Sequence, residues 1–277
     1  MRLRLAAPLL LALVCSTARG QDFRVYTVVR DLGSVGAEEQ TDAAPIVARS
    51  LTLFRARKSY DWLEEVGEVV LTDRTHGRVC VIDRELNGLK LLDEERRHFV
   101  KRGRTEADSY LRTIDEPGLR QRLRFTIDPA FEMAWQPEIE RLSLVGEGWR
   151  YDIETAAAPD EAYTAAYLDY ADAACEINFL LHPHTLYPAM RQAVNARLRE
   201  LGRLPLAVTL QGDLGRPLHL RAEHKYEWTL QSYDRSQIRR WEQLAETDRD
   251  RATTEADAAE SVQWRTVHEF QKVSLRP

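Results

Sequence analysis

Cysteine and methionine are scarce in this chain, three of each among 277 residues, and beyond residue 20 only Cys80 and Cys175 remain. Two cysteines cannot staple a small scaffold. An oxidising compartment would permit a Cys80–Cys175 bond across a sheet–helix contact, and the alternative, two buried free thiols, is what ordinary core packing favours. Long apolar runs are missing as well. The one at residues 5–15 falls well short of the roughly 20 residues that a membrane-spanning helix needs. Motifs of chemistry are also absent: there is no phosphate-cradling loop, no dinucleotide turn and no cysteine zinc pair. Gly33-Ser34-Val35-Gly36 lacks the spacing of a nucleophile elbow, and His268-Glu269 lacks the second histidine of a zinc protease helix. No catalytic residue, no metal ligand and no cofactor is therefore assigned.

What is present begins with an export signal. Arg2 and Arg4 precede the apolar run, and Ala18-Arg19-Gly20 stands before Gln21, the layout of a cleaved leader. Val14 before Cys15 is too large for a lipobox, so residues 1–20 are read as a removed signal and residues 21–277 as a single domain, periplasmic or secreted, with no stable membrane insertion. The chain carries 39 basic and 44 acidic residues for a net charge of −5, and loss of Arg2, Arg4 and Arg19 takes this to about −8. Nucleic acid and acidic membrane surfaces are poor partners for such a chain. A hydrophobic share of 44% is enough for a sizeable core.

Residues 50–92 organise the rest. Runs rich in β-branched and aromatic residues near 50–56, 59–64, 67–73, 78–83 and 88–92 read as strands. The reversals fall at Arg57-Lys58, Val66-Gly67, Thr75-His76-Gly77 and Asn87-Gly88, and links this short force antiparallel neighbours. Tyr60, Trp62, Val69, Leu71, Cys80 and Ile82 share one parity, and Leu63, Val70, Val79 and Val81 share the other, so this part of the sheet is covered on both sides. Upstream, residues 22–31 form a first strand, followed by a polar loop.

Downstream, Asp93 caps a charged helix that stops before Pro117, with a narrow apolar stripe near Phe99, Val100, Tyr110 and Leu111. A second β region follows, in which Trp149, Tyr151 and Ile153 alternate with polar residues. The stretch after Pro159-Asp160 is a helix with Ala162, Ala166, Tyr170, Ala173, Ile177 and Leu180 on one stripe. A second helix, Pro188 in its first turn and Gly202 at its end, buries Met190, Val194, Leu198 and Leu201. The short link makes the two an antiparallel pair packed on the sheet. A closing hairpin places Leu218, Leu220, Ala222, His224, Tyr226 and Trp228 on a buried face and Glu227 on a wet one. Asp234 caps a last helix with Ile238, Trp241 and Leu244. Residues 246–261 are charged, either a solvated helix extension or disordered, and Val262, Trp264, Val267 and Phe270 form a last apolar patch, read as a return strand.

The histidines do not assemble. His182-Pro183-His184 has no Cys or carboxylate at ligand spacing, and His219 and His224, five apart on a strand, point to opposite faces. The fold class is α+β: an antiparallel, strongly curved, half-barrel-like sheet with helices packed on one face. Tyr60, Trp62, Val69 and Leu71, sharing a parity in adjacent strands, are the candidate ligand-binding residues bordering an apolar cavity; the competing reading packs the same side chains against the helix pair.

The order of export signal, first strand, antiparallel meander over residues 23–93, helices and further strands resembles the outer-membrane lipoprotein carrier superfamily, whose incomplete barrel holds acyl chains beneath helices. The wording PIVARSLTLFRARKSYDWLEEVGEVVLTD and YADAACEINFLL is similar to exported proteins of unknown function in planctomycete-type bacteria. Strands apolar on both faces and the missing catalytic motifs point to a non-enzymatic binding or envelope protein whose partner is an apolar ligand, lipid or lipoprotein. The alternative is an extracytoplasmic hydrolase using carboxylate or His residues that the sequence does not single out.

Overall fold

The computed structural model describes residues 22–34, 43–63, 67–83, 88–91, 93–181, 185–213 and 217–255. The export signal, the His182-Pro183-His184 run, Asn87 of the Asn-Gly turn and the patch from Val262 to Phe270 lie outside the described residues, as does everything past 255 in the charged segment.

The N-terminal half is a meander: β1 (Phe23–Asp31), β2 (Ile46–Arg55), β3 (Lys58–Leu63), β4 (Glu68–Asp73), β5 (Arg78–Asp83) and β6 (Gly88–Leu91). Ala56 and Arg57 make the β2–β3 reversal with φ of 50° and 64°, the left-handed pair that a two-residue hairpin turn requires. Two helices follow, α1 (Asp93–Leu111) and α2 (Pro117–Ile127), then β7 (Glu132–Gln136), β8 (Arg141–Gly146) and β9 (Trp149–Ala157). Next come the helix pair α3 (Glu161–Leu181) and α4 (Pro188–Leu201), the hairpin β10 (Arg203–Asp213) and β11 (Pro217–Glu227), and finally α5 (Ser232–Glu255).

All eleven strands join one open antiparallel sheet in the order β6-β5-β4-β3-β2-β1-β11-β10-β9-β8-β7. β1 is the seam between the two halves, pairing with β2 on one side and with β11 on the other.

The expectation of helices on one face alone is corrected. On one face, α3 and α4 cover a core built from Phe23, Val25, Phe54, Ile153, Leu168, Met190 and their neighbours. Val70, Val79 and Val81 meet Ile177 of α3 on this same face. The opposite face of β2 to β5 is covered by α5, whose Ile238, Trp241 and Ala245 pack on Leu53, Tyr60, Val69, Leu71, Cys80 and Ile82. The two parities of the meander are thus both buried because each has its own helix. Cys80 faces α5 while Cys175 stands on α3 across the sheet, so the two are not bonded to each other.

Two local readings also shift. Pro117 does not merely stop the first helix; it occupies the first turn of α2, and the carboxylate of Glu116 caps that turn by accepting from Gly118 N and Leu119 N. In α3 the residues buried deepest are Thr164, Tyr167, Leu168, Ala171 and Ile177, a stripe rotated from the expected one toward the tyrosines. In α4, Met190, Val194 and Leu198 are buried as the spacing predicts.

Candidate functional site

Between the sheet and the α3–α4 pair lies a cavity of about 590 Å³, within the roughly 300–1,000 Å³ of small-molecule sites. Its floor comes from seven adjacent strands, β4-β3-β2-β1-β11-β10-β9, and its roof from α3 and α4. At the centre of the floor Ala222 pairs across the ladder with Val29 on one side and Val208 on the other, all three lining the space. Ala171 and Ala174, one turn apart on α3, line the roof. Methyl groups facing methyl groups leave volume that larger side chains would fill, and this is the local reason for the cavity.

Two polar stations interrupt the apolar wall. The first is Asp61, in the middle of β3. Thr52 Oγ1 donates to Asp61 Oδ1 at 2.8 Å and lies 3.2 Å from the Tyr170 hydroxyl, and Tyr170 and Ser50 also hydrogen-bond the carboxyl. Burial raises its pKa despite these bonds, since desolvation opposes the charged form. The second is His224, opposite Thr27 in the β1–β11 register. Its Nδ1 is 3.0 Å from Thr27 Oγ1 and 3.4 Å from the Tyr167 hydroxyl. Burial, reinforced by the nearby Arg191 guanidinium, lowers its pKa to about 3, so the ring is neutral near pH 7. The Thr27 and Tyr167 hydroxyls can both donate to Nδ1, and in that tautomer the ring proton sits on Nε2. Nε2 is buried without a hydrogen-bond partner, an arrangement that costs about 1–3 kcal/mol.

Arg191 of α4 lines the same cavity. It hydrogen-bonds Tyr167, and its charge lowers the pKa of His224, Tyr151, Cys175 and Tyr226 against the larger effect of burial on the last three. Among the described residues no carboxylate forms an ion pair with it. The other polar residues of α4 differ: Gln192 bonds Glu176, Asn195 bonds Asp172, and Arg199 bonds Asp169 and Asp172.

Of the lining groups, neither Cys175 nor His224 is activated for covalent or base chemistry. Burial pushes the Cys175 thiol up to about 12, whereas a nucleophilic thiol has a depressed value. A histidine whose pKa burial lowers to about 3 is a weak base at neutral pH. Among the described residues no group of three His, Cys, Asp or Glu could hold a metal ion, and no helix is long and apolar enough to cross a membrane.

The four residues expected to border the cavity sit elsewhere. Tyr60 stacks on Trp241 at 6.1 Å and donates to Glu242 Oε1 at 2.7 Å; Val69 and Leu71 are buried in the same cluster, and Trp62 packs against it. They do share one face of the sheet, but α5 fills it. The cavity opens on the other parity, with Asp61, Leu63, Val70 and Thr72. A signal for it exists in the sequence: Asp61 is an acid between two aromatics in an apolar strand, and His224 lies on the apolar face of β11. Arg191 and Tyr167 carry no local signal, because only the packing of the helix pair brings them over His224.

No protein-family model matches the chain, and no curated protein does so either.

Proposed function

We propose that the protein is an exported, non-enzymatic binding protein of the cell envelope that holds an apolar ligand, such as a lipid or the acyl part of a lipoprotein, between its sheet and the α3–α4 pair. The observation that carries this reading is the cavity itself, about 590 Å³ with walls that are mostly apolar. The half-barrel curvature belongs with it: seven neighbouring strands contribute to a floor roofed by only two helices, which a sheet wrapped around its contents accommodates better than a flat one. Burial releases about 0.8 kcal/mol per methylene, so an acyl chain of about a dozen carbons reaches micromolar affinity after the cost of association.

A fluorescent fatty acid titrated into the purified protein tests the reading. Saturable binding is expected, and Ala222→Trp, which places an indole at the centre of the floor, should abolish it while the variant keeps a cooperative urea transition. Failure of the native protein to bind at any reachable concentration rejects the proposal. So does undiminished binding by a folded Ala222→Trp variant.

A further inference from the structure

We infer that the ligand of this cavity is a single-chain amphiphile with an acidic head group, seated with its anionic oxygens against Arg191 and its chain over Ala222, Val29 and Val208. The inference rests on the cavity reading above and adds the chemistry of the head.

Among the described residues, the apolar cavity holds one uncompensated charge and an unmade hydrogen bond. Asp61 is saturated by Thr52, Tyr170 and Ser50, and burial favours its neutral form. The tyrosines that line the space are neutral hydroxyls at ordinary pH, because burial raises each of them. Arg191 is then the one fixed charge on the described wall. Its neighbours along α4 bond the acids of α3 on the helix–helix side, and none of those acids pairs with it. A guanidinium presents two parallel N–H groups to a carboxylate or phosphate. Beside it stand the Tyr167 hydroxyl and the His224 ring, whose Nε2 has no partner among the described residues. An anionic oxygen placed here would neutralise the cation and accept from the guanidinium, and in the tautomer with its proton on Nε2 His224 would donate to it as well. A neutral alcohol would gain the burial but not the charge, and a cationic head would be repelled.

Fatty acids and acidic lysophospholipids share this chemistry, and a head-group series separates them from other amphiphiles and from each other. The native protein is titrated by calorimetry with oleate, oleoyl lysophosphatidate, oleyl alcohol and oleylamine. At least one of the two acids should bind about tenfold to a hundredfold tighter than the alcohol, the range of a charge-assisted pair, and the tighter acid identifies the source. Arg191→Gln should lose that advantage while binding oleyl alcohol within about twofold of the native protein, and Arg191→Lys should restore part of it. Alcohol binding by the variant serves as the control for an intact cavity. If alcohol and acids bind the native protein equally, or the amine binds tightest, the acidic head is refuted and the cavity reading stands. If none of the four binds, both fall.

Discussion

Acidification should weaken this fold through one ring. His224 releases its proton near pH 3 in the folded protein, against an ordinary value of 6.5. Between those values the unfolded chain binds a proton that the folded one refuses, so His224 favours the fold fully above about pH 6.5 and progressively less as the pH falls toward 3. At about 1.4 kcal/mol for each pH unit crossed, the whole interval is worth about 4–5 kcal/mol, a large part of the stability of an ordinary domain. The cause is burial first and the Arg191 charge second. His224→Gln keeps an acceptor within reach of Thr27 and cannot titrate. Urea denaturation of both proteins from about pH 7 to about pH 4 measures the effect: the native protein should lose about 2–3 kcal/mol more than the variant over that span. Carboxylates held low by partners, such as Asp73 and Asp152, contribute to both curves and drop out of the difference. Parallel curves would mean that His224 is charged or solvated in the fold, and the polar station described above would be wrong.

Asp61 has the opposite sign. Its raised pKa makes its contribution fullest below its unfolded value and smaller as the pH rises through the folded one, so Asp61→Asn should raise the urea midpoint near pH 7 and leave it unchanged near pH 3; a lowered midpoint at both would contradict this. Gly212→Ala should cost about 3 kcal/mol or more by overpacking, because a Cβ there would lie 2.1 Å from Cε3 of Trp149, a ring 1% exposed whose N–H donates to Arg122 O at 3.2 Å; a calorimetric melt matching the native protein would refute it. Trp228→Ala should cost about 3 kcal/mol, since its ring meets Phe23, Tyr163 and Tyr226, and Glu227→Ala about 1 kcal/mol, because Glu227 holds Arg24, which also grips the buried Asp234. Equal losses in denaturant melts would show that the β11 register is misplaced.

The strands of the meander and the helix pair are legible because their signals are local: β-branched runs between turn residues, and Pro188 and Gly202 bracketing α4. The alternation around Trp149, Tyr151 and Ile153 likewise returns as three buried side chains. What the sequence does not disclose depends on pieces far apart meeting. Parity separates Tyr60 from Asp61 but does not say which face receives α5 and which remains hollow. Arg191 and His224 share one cavity only because the helix pair packs over the sheet. α2 carries no clear sequence signal, since Pro117 fits equally well the end of one helix or the first turn of the next, and the Glu116 cap decides it.

The place of β1 at the seam has a consequence for how the chain reaches this state. Its ladder to β11 joins residues about two hundred positions apart, from Arg24↔Glu227 to Asp31↔Leu220. The meander can zip early, since each of its strands pairs with a neighbour in sequence, but it then holds β1 as a bare edge with Phe23, Val25 and Val29 on one side. Such an edge invites pairing with a second molecule, and distant closure is slow. During synthesis the first strand waits for nearly the last, and a chain ending anywhere before β11 would keep an open, sticky rim that a chaperone would have to shield.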